Sequence, residues 1–349
     1  MKIAFRVDAS PDIGIGHLMR CLALSEELRR RGHDCFFLLK VVHPEVLERI
    51  KKFGCNSYLL PRTATLQQDL DSVIEYVFNQ SIDWVITDHY QIDANYVKEI
   101  KHQGFQVLSI DDTAQTHYYS DILVNQNIGA EKLTFSAEPY TKLLLGPSYV
   151  MLRNELLRGA EKRRDSSVRK MLITLGGTDP DNFLLSVLHS VEDVTKDIDI
   201  LAVIGPFNPH RAALQAFQQT TKMRLNLIQS PPNMAELYLQ ADLSISAGGS
   251  SCYELAYFGI PNLIITVAEN QLSLAHEMDK QRIGIYLGEK HEIQQDFLKD
   301  KVKELIQNQS LRKQMSQHGQ KLVDGKGKER IVDSMEISFT ENGYVRGPS

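Results

Sequence analysis

The sequence predicts an α/β protein built from two doubly wound, Rossmann-like domains that face one another across a cleft. Three observations carry that expectation. Short apolar runs alternate with helix-like segments in two separate series, as parallel strands joined by crossover helices do. Around residues 147–169 the alternation stops, where Gly146-Pro147 precedes a strongly charged run from Arg158 to Arg169 that suits a solvated connector. At 349 residues the chain is also longer than one ordinary core needs. The expected division is a first domain over 1–150, a second over 151–339 and a frayed tail over 340–349.

In the first series the strand candidates are Ile3–Val7, Cys35–Leu39, Ser57–Leu60, Trp84–Thr87, Gln106–Ile110, Ile122–Val124 and Leu143–Leu145. Between the first two runs Leu18–Arg31, a helix with Leu18, Cys21, Leu22, Ser25 and Leu28 on one stripe and Gly32 as its stop. A similar helix over Asp69–Phe78 precedes the Trp84 strand. The second series gives strands at Met171–Leu175, Ile200–Ile204, Leu225–Ile228, Leu243–Ser246 and Asn262–Val267. Beyond them Phe297–Gln320 reads as one polar helical stretch, and Arg330–Phe339 as a final helix.

Composition narrows the function classes. Hydrophobic residues make up 42% and charged residues 24%, the balance of a soluble globular protein. A formal charge of −5 argues against a nucleic-acid partner, which would demand a basic face. Charges in Met1–Asp8 fall where a signal peptide needs an apolar core, and no stretch suits a membrane anchor. The cysteines at 21, 35, 55 and 252 have no metal-type spacing, so they read as reduced packing residues of a cytoplasmic protein.

The chemistry-bearing residues cluster in loops at the carboxyl ends of these strands, where doubly wound domains bind ligands. The first loop is Gly14-Ile15-Gly16-His17: its glycines allow a sharp turn, and His17 falls in the first helical turn, beside amides that attract anions. The third glycine of a dinucleotide fingerprint is absent, and Lys40 stands where an acidic residue should end the second strand, which argues against a nicotinamide cofactor. Thr87-Asp88-His89-Tyr90 closes another strand with polar side chains, and Asp111-Asp112 ends the next, where a structural or hydrogen-bonding role is expected over a metal site. In the second domain Gly176-Gly177-Thr178-Asp179 ends the first strand. The run Ser246–Glu254 then supplies Gly248, Gly249, Ser250 and Ser251 to surround a diphosphate, and Glu254 to accept ribose hydroxyls.

Taken together and in this order, these residues resemble the UDP-sugar hydrolases of pseudaminic acid biosynthesis, which have the two-domain fold of the B-type glycosyltransferases. The likeness runs from Arg6–Ser10 and Ile13–Cys21 through Asp88-His89-Tyr90, Asp111-Asp112 and Gly176–Asp179 to Gly248–Glu254 and Asn270-Gln271. It implies a substrate, UDP-2,4-diacetamido-2,4,6-trideoxy-β-L-altropyranose, from which water displaces UDP with inversion, without a metal or other cofactor. It implies His17 as general base, with Tyr90 and Asn270 against the sugar or the attacking water. The implied substrate-binding set is Gly14, Gly16, Arg20, Asp88, Gly248, Gly249, Ser250, Ser251, Glu254 and Gln271. From Gly288 onward the chain resembles spore-coat polysaccharide relatives, so an enzyme of that kind acting on a related nucleotide sugar is an alternative, as is a glycosyltransferase with a UDP-sugar donor.

A lone base is chemically sufficient for such a hydrolysis. Glycosidases use two carboxylates because an alkoxide leaves poorly. A terminal phosphate, with a second pKa of about 6, leaves without being protonated. Amides can stabilise its charge, so only one water remains to be oriented and deprotonated.

Overall fold

A computed structural model describes residues 1–10, 13–40, 43–62, 64–157 and 167–341. It divides into two compact units, one comprising residues 1–153 with the chain from Gly325, the other Asn154–Asp324. Each is an α/β unit around a parallel sheet.

In the first unit the strands are β1 (Lys2–Val7), β2 (Asp34–Leu39), β3 (Asn56–Leu59), β4 (Trp84–Asp88), β5 (Gln106–Ile110), β7 (Ile122–Asn125) and β9 (Lys142–Leu145). Two-residue strands β6 (His117–Tyr118) and β8 (Ser136–Ala137) pair separately. The main sheet runs in the order β3-β2-β1-β4-β5-β7-β9, all parallel. Its central strands are buried along almost their whole length and mostly apolar, as in a parallel sheet with helices on both faces. Strand order reverses between β1 and β4, so the loops leaving these neighbours flank a crevice. Their register sets Val7 beside Asp88, which fixes where the His17 and Tyr90 loops emerge.

The second unit holds β10 (Lys170–Thr174), β11 (Asp199–Ile204), β12 (Arg224–Gln229), β13 (Leu243–Ala247), β14 (Asn262–Thr266) and β15 (Gly284–Glu289). Their order is β12-β11-β10-β13-β14-β15, again all parallel, with the reversal between β10 and β13. The glycine runs at 176–177 and 248–249 leave those two strands. A Cβ on Gly205 would lie 2.4 Å from the Gly177 carbonyl oxygen, so the loop after β11 supports the first glycine run by backbone contact.

Three features depart from the sequence expectation. The helix Gly327–Glu341 belongs to the first unit, not to a second domain reaching residue 339. It buries Ile331, Val332 and Met335, and Arg31 holds it through Asp333 and Glu336, each at 2.7 Å. A Cβ on Gly327 would lie 2.2 Å from the Val150 carbonyl oxygen, so the entry to this helix requires glycine. An amphipathic pattern announces a buried face without saying which core receives it. The stretch Phe297–Gln320 is two helices, Gln295–Gln307 and Gln309–Leu322, because Asn308 leaves helical geometry and accepts the Leu311 amide as a cap. Strand β15 was not anticipated, since its sequence, with glycine at both Gly284 and Gly288, lacks an unbroken apolar run. Of the expected tail, 342–349 lies outside the described residues. Among the described residues no helix is long and apolar enough to cross a membrane.

Candidate active-site residues

In the first unit the helix Gly16–Arg30 begins without a side-chain cap or an acidic residue in its first turn. Gly14 adopts φ +80°, and its amide donates to the Ser10 carbonyl at 2.7 Å, so this glycine makes the turn and has no amide to spare. A Cβ on Gly16 would meet no described atom within 4 Å. Residues 17, 20 and 21 share one helix face and converge on Asp88 at the end of β4. The Asp88 carboxylate receives His17 Nδ1 at 2.6 Å, Arg20 Nη2 at 2.6 Å, Arg20 Nε at 2.7 Å and the Cys21 thiol at 3.4 Å.

Burial alone would raise the Asp88 pKa, but Arg20 and His17 outweigh it and hold this carboxyl well below the usual carboxylate range. Burial beside Asp88 drives the Cys21 thiol well above its ordinary value, so it remains a donor. Because an ionised carboxylate only accepts, His17 Nδ1 carries the proton of that contact. Arg20 Nη2, 3.1 Å from the same nitrogen, then meets a donor and does not hydrogen-bond to it. With Nδ1 committed to Asp88, Nε2 is the ring nitrogen left to face a ligand.

Arg20 also donates from Nη1 to both oxygens of Asp112 at 2.9 Å. Asp112 accepts the Tyr90 hydroxyl at 3.3 Å and the Asn127 amide at 2.9 Å. The Tyr90 ring stands edge-on to His17, centroids 4.7 Å apart, and is 51% exposed, so a ligand can reach it. The strand-end pair at 111–112 thus divides its work. Asp111 closes a turn through the amides of Thr113 and Ala114, while Asp112 joins the His17 cluster.

A second buried network braces the loop between Asp88 and Tyr90. His89 Nδ1 accepts the Gln91 amide at 3.0 Å, which places the proton on Nε2 facing Asp8 at 3.2 Å. Asp8 also accepts from Arg6 and from the Lys40 amide. Burial opposes ionisation of Asp8, yet His89, Arg6 and the Lys40 amide hold its pKa well below the usual range. The sequence placed His89 in a polar strand-end loop and gave Asp112 a structural or hydrogen-bonding role, but assigned neither these two nor Asp8 to a catalytic or substrate-binding set; their signal was position at the ends of adjacent strands.

In the second unit Ser250 precedes the helix Ser251–Phe258. The amides of Gly249, Ser250 and Ser251 have no acceptor among the described residues. Gly248 differs: its amide donates to the Ile265 carbonyl at 3.1 Å and to Gln271 Oε1 at 3.2 Å, so it braces the loop instead of offering a donor. Gln271 Oε1 also accepts the Val267 amide at 3.0 Å. The buried Tyr238 hydroxyl donates to Glu254 Oε2 at 2.5 Å and steers that carboxylate. Asn270 is exposed in the turn Glu269–Gln271. Asp179 caps the helix Phe183–Val191 through the amides of Phe183 and Leu184 at 2.7 and 3.1 Å, a structural duty within its glycine loop.

Cys21, Cys35, Cys55 and Cys252 are all buried. Burial pushes the Cys252 thiol up to about 12, against hydrogen bonds with Ser246 and Asn262 that lower it.

Residues 171–331 match the Glycosyltransferase family 28 C-terminal domain. The chain is 26% identical to the spore coat polysaccharide biosynthesis protein SpsG of Bacillus subtilis, covering 98% of this chain and 99% of that one. It is 26% identical to a UDP-2,4-diacetamido-2,4,6-trideoxy-beta-L-altropyranose hydrolase of Campylobacter jejuni, covering 80% and 97%. An uncharacterized protein of Methanocaldococcus jannaschii, MJ1062, is 27% identical over 78% of this chain, which spans only 56% of that relative. Among solved structures, MurG of Acinetobacter baumannii superposes with a TM-score of 0.70 at 14% identity, over 96% of this chain and 99% of that one. The two Rossmann-like units are those of the B-type glycosyltransferase fold.

Proposed function

We propose that this chain hydrolyses a UDP-sugar to UDP and the free sugar, with inversion at the anomeric carbon. The substrate it best suits is UDP-2,4-diacetamido-2,4,6-trideoxy-β-L-altropyranose, on the strength of the Campylobacter jejuni relative. The observation that carries the reading is the 2.6 Å contact between His17 Nδ1 and the ionised Asp88. It fixes the ring and its proton, leaving Nε2 to take a proton from water, as a carboxylate-oriented histidine does in hydrolases of unrelated fold.

The amides of Gly249, Ser250 and Ser251 at a helix start supply donors for a diphosphate, and Glu254 supplies an acceptor for ribose hydroxyls. Gly16 leaves space beside the His17 helix start, while Tyr90 and Asn270 contact the sugar or the attacking water. Water attacks C1 as the bond from C1 to the diphosphate oxygen breaks, and His17 takes the water's proton. The departing diphosphate needs stabilisation of its charge but no proton and no metal.

The test is release of UDP from a panel of UDP-sugars without an acceptor, with the anomer of the product read by NMR. His17→Asn should abolish turnover and leave UDP affinity within a few-fold. Loss of UDP binding in that variant would move His17 into the nucleotide site and refute its role as base. The match to a glycosyltransferase domain favours transfer as the second reading, in which UDP release would require an added acceptor.

A further inference from the structure

We infer that Gln271 is a positioning residue, a strut that ties the glycine loop after β13 to the turn carrying Asn270. The inference rests on the hydrolase reading for the identity of the ligand, but its structural half stands alone. Gln271 Oε1 accepts two backbone amides from different segments, Gly248 at 3.2 Å and Val267 at 3.0 Å. The first lies at the end of β13, directly before the amides of Gly249, Ser250 and Ser251. The second opens the turn that continues to Asn270.

The packing agrees with the hydrogen bonds. A Cβ on Gly248 would lie 3.1 Å from Gln271 Cβ, 3.1 Å from Thr266 Cγ2 and 3.3 Å from the Gln271 carbonyl oxygen. The glycine loop therefore rests on the Gln271 stem as well as on its amide. Gln271 Nε2 sits 4.0 Å from where a Gly249 Cβ would be, so the same side chain also lies beside Gly249. With its oxygen engaged by the protein, Gln271 acts on the substrate mainly through the loop it braces. A diphosphate settling on Gly249–Ser251 would stiffen Gly248 and, through Gln271, the turn that presents Asn270. Nucleotide binding and placement of the sugar-side residue are thereby coupled.

Gln271→Leu removes the acceptor at nearly constant volume, whereas Gln271→Glu keeps it. Hydrogen exchange at the Val267 amide should accelerate by about tenfold in the leucine variant, the equivalent of one net hydrogen bond, and remain at the wild-type rate in the glutamate variant. The leucine variant should lose kcat by about tenfold with a smaller change in KM. The glutamate variant should recover kcat to within a few-fold while binding UDP more weakly, because it adds a negative charge beside the diphosphate cradle. Wild-type exchange at Val267 in the leucine variant would overturn the strut. Faster exchange with unchanged kcat, or failure of glutamate to restore either readout, would overturn the coupling. If the wild-type protein neither binds UDP nor releases it from UDP-sugars, the hydrolase reading and the coupling both fail, and exchange at Val267 still decides the strut.

Discussion

Replacing Asp88 by asparagine tests the proposed mechanism most directly, because shape is kept while charge and acceptor capacity are lost. The carboxylate takes His17 and both donors of an Arg20 fork at 2.6–2.7 Å, and the Cys21 thiol at 3.4 Å. Asparagine has one oxygen for these donors and turns an NH2 toward the others. If the oxygen serves Arg20 Nε, the NH2 meets both Arg20 Nη2 and His17 Nδ1, and it pulls the ring into the tautomer whose Nε2 carries hydrogen, which cannot accept a proton. If it serves His17, the NH2 meets Arg20 and the fork is broken. Charge-assisted bonds of this kind are worth about 1.5–3 kcal/mol each, and breaking a buried pair costs about 3–5 kcal/mol. Arg20 keeps its bidentate contact with Asp112, so stability should fall toward the lower end of that range. Turnover should fall by about 10²–10⁴, the usual contribution of a general base. Kinetics of UDP release measure kcat, calorimetry measures UDP affinity, and a melting curve reports folding. A folded Asp88→Asn protein turning over within about threefold of wild type would refute the assignment of His17 as a base oriented by Asp88.

Glu254→Ala should weaken UDP binding with a smaller effect on kcat, and Tyr238→Phe should reproduce part of that loss by freeing the carboxylate from the phenol at 2.5 Å; unchanged UDP inhibition constants in both would contradict the ribose role. Asp112→Asn should lower kcat by less than Asp88→Asn does, since Arg20 still grips Asp88 through Nε and Nη2; an equal or larger loss in a folded variant would show that Asp112 itself touches the reacting groups. Asp8 and Asp88 are both held below the usual range in the folded state, so they stabilise above their unfolded pKa of about 3.9 and lose that contribution as pH falls through the lower folded values. Their contribution to the melting temperature should therefore be level from neutral pH to about 5 and decline below about 4, a drop that Asp8→Asn should diminish.

The parallel sheets were legible because each central strand is a short apolar run ended by glycine or a carboxylate. Ile3–Val7, Trp84–Thr87 and Leu243–Ser246 all lie within strands the structure contains. Period alone could not assign Gly327–Glu341 to a core, since that depends on Arg31 and Lys328 finding partners some 300 positions away. In the candidate site, strand-end position pointed to the loops of His17, Asp88 and Tyr90, and the structure sets these beside Arg20. What it could not reveal was direction. Gly248 and Gln271 have the right types for a phosphate loop, yet their amide and carbonyl are engaged with each other. Asp111 and Asp112 are adjacent and chemically identical, and only the turn after β5 decides that Asp112 meets Arg20.

That division explains why a single arginine sits amid the cluster. Asp88 and Asp112 contribute two negative charges and Arg20 one positive charge, so with a neutral His17 this group of four side chains is one charge short of balance. In the proposed mechanism, a proton taken from water by His17 would bring the group to neutrality as the sugar–diphosphate bond breaks. The carboxylates are already in place, held by hydrogen bonds that need not rearrange, which is the condition under which electrostatic stabilisation is most effective. Arg20 carries the opposite charge, and its removal would leave the buried Asp88 and the part-buried Asp112 without their shared partner. Its part is to hold the two carboxylates apart, with Asp88 turned toward His17 and Asp112 toward Tyr90.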